Sequence, residues 1–571
     1  MRPMWGAFSI FETTKPTDMK KLLLPLLLCA SMISCKDKDP NEGKEQVDLI
    51  VMNANAYTVD EDFSVVEAFA VKDGKFVATG TAAEINERYF ADSTLNAEGK
   101  TVLPGFIDAH AHFYGYGLQL QTVDLRGTKS FNEVLSRLLE FQAKEQSEFI
   151  IGGGWDQNDW EKKEFPVKDS LDILFPNTPV AITRIDGHAL LANQAALDAA
   201  GITTSTRVEG GEIEVKNGRL TGILVDNPMA MIDAAAPALT QDEKIEALLD
   251  AQKVTFSYGL TTVNDAGIDR SVIELIDSLQ KAGELDIRIY AMISNTAENL
   301  DYYLGREPYK TDKLNVRSVK FYGDGALGSR GAALKEPYSD DPGHYGALLS
   351  PVSEFKATAA RIADSDYQMN THAIGDSANV MVLKTYDSLL ADKPDRRWKV
   401  EHAQIIDEGD FHYFSKNIIP SVQPTHATSD MYWAVDRLGE EREKGAYAYN
   451  RLLEEAGIIA LGTDFPVEKV SPFLTFYAAV ARKDVEGYPE EGYMADQALS
   501  REEALKGMTI WAAFSNFEEE EKGSIEPGKF ADFIILEKDI MKVPENEIPE
   551  IYVLQTYLGG EKVFGSELVG Q

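Results

Sequence analysis

Apolar residues follow two rhythms along this chain. Near the start of its folded part, "VDLIVMNANAYTV", "AFAVKDGKFVATG" and "STLNAEGKTVL" alternate apolar and polar positions with a period close to two. That is the rhythm of half-buried strands, and turn signals such as "KDGK" separate them. The same style returns near the end in "GSIEPGKFADFIIL" and "IYVLQTYLGGEKVF". The two ends are therefore expected to pair into one composite β-sandwich over 47–103 and 520–571, with the main domain inserted between them.

Within that main domain, 104–519, short apolar β-rich runs alternate with longer helical patterns. The runs are "FIDAHAH", "GLTTVNDAG", "IRIYAMI", "NVRSVKFYGDG", "YQMNTHAIGD", "RWKVEHAQII", "NIIPSVQPTH" and "GIIALGTDFP". Eight such runs are what a (β/α)8 TIM barrel needs, so the fold class is α/β. A stretch of roughly 115–245 follows the first run and is too long for one crossover, so it is expected to hold an inserted lid or subdomain.

The leader breaks both rhythms. "MKKLLLPLLLCASMISC" begins at Met19 with two lysines, continues into an apolar run and ends in small residues before Cys35. That is the order of a secretory signal, and its apolar run is short for a membrane span. A cysteine at the cleavage point resembles a bacterial lipoprotein signal. It predicts a leader over 1–35, lipidation at Cys35 and a polar tether over 36–46. The expected location is then the bacterial cell envelope, periplasmic or on the outer-membrane face, with the lipid as the only membrane contact. Both cysteines of the chain, Cys29 and Cys35, lie in this leader. Disulfides, thiolate ligands and cysteine nucleophiles are thereby excluded from the mature domain.

Composition narrows the partners. The 56 Lys and Arg against 93 Asp and Glu leave a formal charge of −37, which argues against nucleic acid. The acidity reads as a well-solvated surface. Nothing in the sequence fixes the oligomeric state, a homodimer included.

The candidate chemistry sits at strand ends. His110 and His112 are two residues apart on the first run, so a strand points both the same way. At the C-terminal end of a barrel strand that way is the active-site mouth. Lys320, His372, His402 and Asp464 end the fourth, fifth, sixth and eighth runs. Singly, each has a structural explanation. Jointly, they read as a metal centre. Burial and neighbouring positive charge would favour a neutral Lys320 amine. Such an amine reacts with carbon dioxide to an anionic carbamate that can bridge two metals. The competing role for Lys320 is an ion pair with an acid such as Asp324. Four further residues are candidate substrate contacts: Trp155 and Asp156 in a glycine-rich loop, Arg330 as a carboxylate binder, and His426 after the seventh strand. His188 is a candidate for hydrogen bonding a carbonyl oxygen or stabilising an oxyanion. His344 and His412 read as surface positions, and the aromatic residues of 412–414 and 432–433 as helix packing.

These motifs resemble the amidohydrolase superfamily, and within it the family 3 group that includes N-substituted formamide deformylase-like proteins. "PGFIDAHAH", "VKFYGDGALGSRGAAL", "NTHAIGD", "VEHAQI", "LGTDFPV" and "GSIEPGKFADFIIL" carry the resemblance, which spans about 47–565. "GGGWDQNDW" and "RIDGHALLAN" fit the same group. The resemblance implies a distorted barrel with a split β-sandwich. It implies His110, His112, Lys320, His372, His402 and Asp464 as ligands of one or two divalent ions, zinc first and iron or manganese next. It further implies a small amide-type substrate, an N-acyl or N-formyl amine, whose non-peptide carbon–nitrogen bond is cleaved by metal-bound hydroxide. Asp464 would move the proton. Two alternatives stay open: a mononuclear deaminase of the same fold, and a catalytically silent, lipid-anchored binding protein.

Overall fold

The computed structural model describes residues 41–393 and 395–565. At its centre is a parallel barrel whose strands coincide with the eight apolar runs. They are β1 (Phe106–Ala111), β2 (Leu260–Ile268), β3 (Arg288–Ser294), β4 (Leu314–Tyr322), β5 (Gln368–Ala373), β6 (Lys399–His402), β7 (Ile419–Val422) and β8 (Ala460–Leu461). Each pairs in parallel with the next. Irregular registers between β1 and β2, β2 and β3, and β3 and β4 distort the barrel.

The last seam closes beyond β8, which is only 2 residues long. Asp464 N–H donates to the His110 carbonyl and His112 N–H donates to the Phe465 carbonyl, both at 2.8 Å. The Asp108 carboxylate spans the same seam. It accepts from the Thr463 backbone N–H at 3.0 Å and from the Thr463 hydroxyl at 2.7 Å.

Apolar residues of the strands share one core with the surrounding helices, including Val263, Ile289, Val319 and Met369 against Leu248, Ile276, Phe355 and Val382. Helix α1 (Phe113–Leu120) crosses α2 (Gln241–Ser257) closely. A Cβ on Gly117 would stand 2.0 Å from the Ala247 carbonyl, so only glycine permits the crossing. Both helices pack in the barrel core. The insertion is therefore narrower than the expected 115–245. Its centre is a 6-stranded sheet formed between Val123 and Asp226. That sheet carries its own two apolar clusters, one around Leu138, Trp155 and Ile182, the other around Leu190, Leu197 and Leu224.

Strands from both chain ends build the remaining sheets. The N-terminal strand Thr101–Pro104 pairs antiparallel with the C-terminal strand Phe533–Leu536. Val51, Phe69, Phe76, Phe533 and Tyr557 share the sandwich core. The first strand begins at Glu45, inside the stretch read as a tether. The signal segment and Cys35 lie outside the described residues. Among the described residues, no helix is long and apolar enough to cross a membrane.

One buried ion pair stitches the sandwich to the barrel. Arg288 of β3 donates to both oxygens of Asp532, at 2.6 and 2.9 Å, and also to the Asp312 carbonyl at 2.7 Å. Removing one partner of a buried pair leaves an uncompensated charge. Asp532→Ala is expected to cost about 3–5 kcal/mol of unfolding free energy. Urea unfolding of variant and wild type checks this, and a loss below about 1 kcal/mol would make the pair dispensable.

Candidate metal centre

Strand geometry brings His110, Lys320, His372 and His402 to the mouth, and the backbone beyond β1 and β8 adds His112 and Asp464. Two of these residues depart from strand geometry. His402 has φ +71° and Asp464 φ +61°, a left-handed conformation that non-glycine residues seldom adopt. Neighbours on a strand normally face opposite sides. The turn at His402 lets Glu401 and His402 both reach the barrel interior.

The ligand atoms converge. His110 Nε2 and His112 Nε2 lie 3.6 and 3.3 Å from Asp464 Oδ1. Ligand atoms of His110, His402 and Asp464 all fall within 4.8 Å of one another. The His372 and His402 rings are 4.5 Å apart between centroids. Lys320 Nζ is 2.9 Å from His110 Nε2. Two outer partners set the imidazole tautomers. His110 Nδ1 donates to Glu401 Oε2 and His402 Nδ1 donates to Gln423 Oε1, both at 2.7 Å. Each bond leaves Nε2 with its lone pair toward the centre, as a metal-binding histidine requires.

The donor set fits a divalent cation. Asp464 Oδ1 is buried with no hydrogen-bond partner, although it faces two imidazole nitrogens. Buried carboxylate oxygens are rarely left so, and nitrogen and oxygen donors together suit zinc-like ions.

The electrostatics agree. Burial raises the Asp464 carboxyl. The imidazoles of His112 and His426 beside it override this and hold Asp464 well below the usual carboxylate range. Burial lowers Lys320 to about 8, against the opposing fields of Glu401 and Asp464. Burial also lowers His110, His372 and His402, keeping them neutral as ligands must be. His426 differs. Burial would lower it, but it sits 3.2 Å from both Asp464 and Glu468, which lift it to about 10.

A cavity of about 700 Å³ opens above these residues. His112, His188, Lys320, His372, His402, His426 and Asp464 line it, together with Asp156 of the insertion. Asp156 is engaged by Arg184 at 2.5 Å. Three expectations and one alternative need correction. Trp155 does not face the cavity. It is buried in the insertion core, where its indole N–H donates to the Ile182 carbonyl at 2.9 Å, because its strand turns it away from the mouth. Arg330 pairs with Asp340 at 2.8 Å and is not among the cavity walls. Lys320 does not pair with Asp324, whose oxygens accept from the backbone N–H groups of Ala333, Ile374 and Gly375. Tyr432 and Trp433 are cavity walls as well as packing residues.

Glu401, Gln423 and Asp226 hold site histidines and were missed by sequence reasoning. Asp226 holds His188 Nδ1 at 2.6 Å. For Glu401 the only signal was its place beside His402, and strand alternation points it outward.

Residues 93–564 match the amidohydrolase family. The chain belongs to that family. This amidohydrolase is 32% identical over 564 residues to the protein LONG AFTER FAR-RED 3 of Arabidopsis thaliana, covering 95% of each chain. It is 27% identical to the N-substituted formamide deformylase of Arthrobacter pascens, over 90% of this chain and 97% of that one. In structure the amidohydrolase is similar to an uncharacterized metal-dependent hydrolase from Pyrococcus horikoshii, with TM-score 0.72 and 28% identity over 87% of this chain and 99% of that one. Family membership supports a hydrolase, and its described residues include a cluster of His110, His402 and Asp464 able to hold a metal ion.

The outer partners of metal-binding histidines tune affinity. Glu401→Gln is therefore expected to weaken metal binding about 10–100-fold while the fold persists. Chelator competition measures this, and unchanged affinity would remove Glu401 from the metal's support.

Proposed function

We propose that this amidohydrolase cleaves the carbon–nitrogen bond of a non-peptide amide, an N-acyl or N-formyl amine, to a carboxylate and an amine. Asp464 is the observation that carries the reading. It is buried and anionic, with one oxygen unpartnered beside two imidazoles and the other 3.2 Å from His426. The similarity to the formamide deformylase supports the bond class.

His110, His112, Lys320, His372, His402 and Asp464 would hold the cation or cations, and zinc suits these donors. Lys320 would serve as its N6-carbamate, formed from the neutral amine and carbon dioxide with loss of a proton. When bound, the cation supplies Lewis acidity, which acidifies water toward neutral pH and polarises a carbonyl. Asp464 stays anionic, so it takes the proton of the attacking water and returns it to the leaving nitrogen. His426, charged between Asp464 and Glu468, keeps the Oδ2 side of Asp464 aligned. His188 presents its ring to the carbonyl oxygen as negative charge builds there. The cavity volume suits a small organic amide. A deaminase reading has less support, because Glu401 is committed to His110. The leader sequence alone supports placing the enzyme on a lipid tether at Cys35 in a bacterial envelope.

Asp464→Asn is expected to lower kcat on N-formyl and N-acyl amines about 10²–10⁴-fold, with KM little changed. Steady-state hydrolysis checks this, and an active variant would move the proton transfer to another residue. Elemental analysis should find about two zinc ions per wild-type chain and a sharp fall in Lys320→Ala. The carbamate needs a neutral amine, and Lys320 titrates at about 8. Zinc bound by wild type in excess of Lys320→Ala should therefore grow as bicarbonate buffer is raised through that value. An excess independent of pH would count against the carbamate.

A further inference from the structure

We propose that Asp226 is a positioning residue of the active site. Together with two glycines of the loop after β4, it fixes the His188 ring so that Nε2 meets the reacting carbonyl. The proposal rests on the reading that His188 faces that carbonyl.

The insertion builds this arrangement from its own strands. Ala189–Ala192 runs antiparallel to Arg219–Asp226, and Asp226 N–H donates to the His188 carbonyl at 3.0 Å. The side chains of the same two residues then meet, with His188 Nδ1 2.6 Å from Asp226 Oδ1. A carboxylate only accepts, so the proton of this bond resides on Nδ1. Nε2 is the nitrogen left for the cavity that His188 lines, and it carries a proton of its own when it donates to the carbonyl oxygen. The ring stands 5.0 Å from that of His372, between centroids, which puts it beside the metal ligands.

Two further features show that the carboxylate is held on purpose. Asp226 has φ +58°, a conformation that costs energy outside glycine and persists only where its surroundings enforce it. The barrel then closes around its second oxygen. A Cβ on Gly325 would stand 2.6 Å from Asp226 Oδ2, and one on Gly331 would stand 2.7 Å from it. Neither glycine has a left-handed backbone, so both are needed for space and not for φ. The barrel loop thus leaves a slot the size of this carboxylate. An ion pair serving the insertion's stability alone would need neither the slot nor a ring at the cavity wall.

The test uses the zinc-loaded full chain with 15N-labelled histidine. Long-range 1H–15N spectra report which ring nitrogens carry a proton, and His188→Gln assigns the His188 signals. The wild type is expected to show protons on both ring nitrogens, Nδ1–H held by Asp226 and Nε2–H left to donate. Asp226→Asn, which tolerates the left-handed backbone, should leave a ring with a single proton. It should also lower kcat on an N-formyl amine about a hundredfold or more, with KM within about twofold. Gly331→Ala should disturb the same signals by pushing the carboxylate aside. A wild-type ring with a single proton, or an Nδ1 signal unchanged in both variants, would overturn the proposal. Failure of the wild type to hydrolyse any N-formyl or N-acyl amine would instead sink the amide reading, and the nitrogen spectra would still decide the role of Asp226.

Discussion

The closure of the barrel and the assembly of the metal centre are one set of interactions. β8 is too short to form a full ladder with β1. The hydrogen bonds that replace the ladder come from the backbone of His110, His112, Asp464 and Phe465. The side chains of three of those residues are the proposed ligands. The ring of strands therefore cannot close without placing them, and Asp108 with Thr463 locks the same seam from the side. The left-handed backbone at Asp464 belongs to this arrangement, since its N–H must reach β1 while its carboxylate turns to the centre.

The insertion plays a second part. Its sheet has its own apolar clusters, so it folds around its own residues. It meets the barrel through polar groups: His188 beside His372, Asp226 in the slot of Gly325 and Gly331, and Arg184 against Gly328. Contacts of this kind fix orientation, because each charged group has one place where its partners are satisfied. The cavity is thus shared, with barrel chemistry on one side and insertion walls on the other.

Most of the fold was legible in the sequence because it rests on periodicity. The eight barrel runs and the paired chain ends carry their own apolar patterns. The candidate ligands were legible as a pattern, histidine, lysine and aspartate at successive strand ends, and the structure brings them to one mouth. The misses share a physical cause. Glu401 follows no alternation rule, because the turn at His402 breaks it. Trp155 was misread because a glycine-rich segment looks like a loop, whereas Ile150–Trp155 is a strand that buries its tryptophan. The partners Gln423 and Asp226 are long-range, and nothing local in the sequence links them to His402 or His188.

The seam at β1 and β8 is closed by peptide groups and one carboxylate, none of which requires a cation. Closing the ring and holding a cation therefore draw on different atoms of the same residues, main-chain groups for the one and side chains for the other.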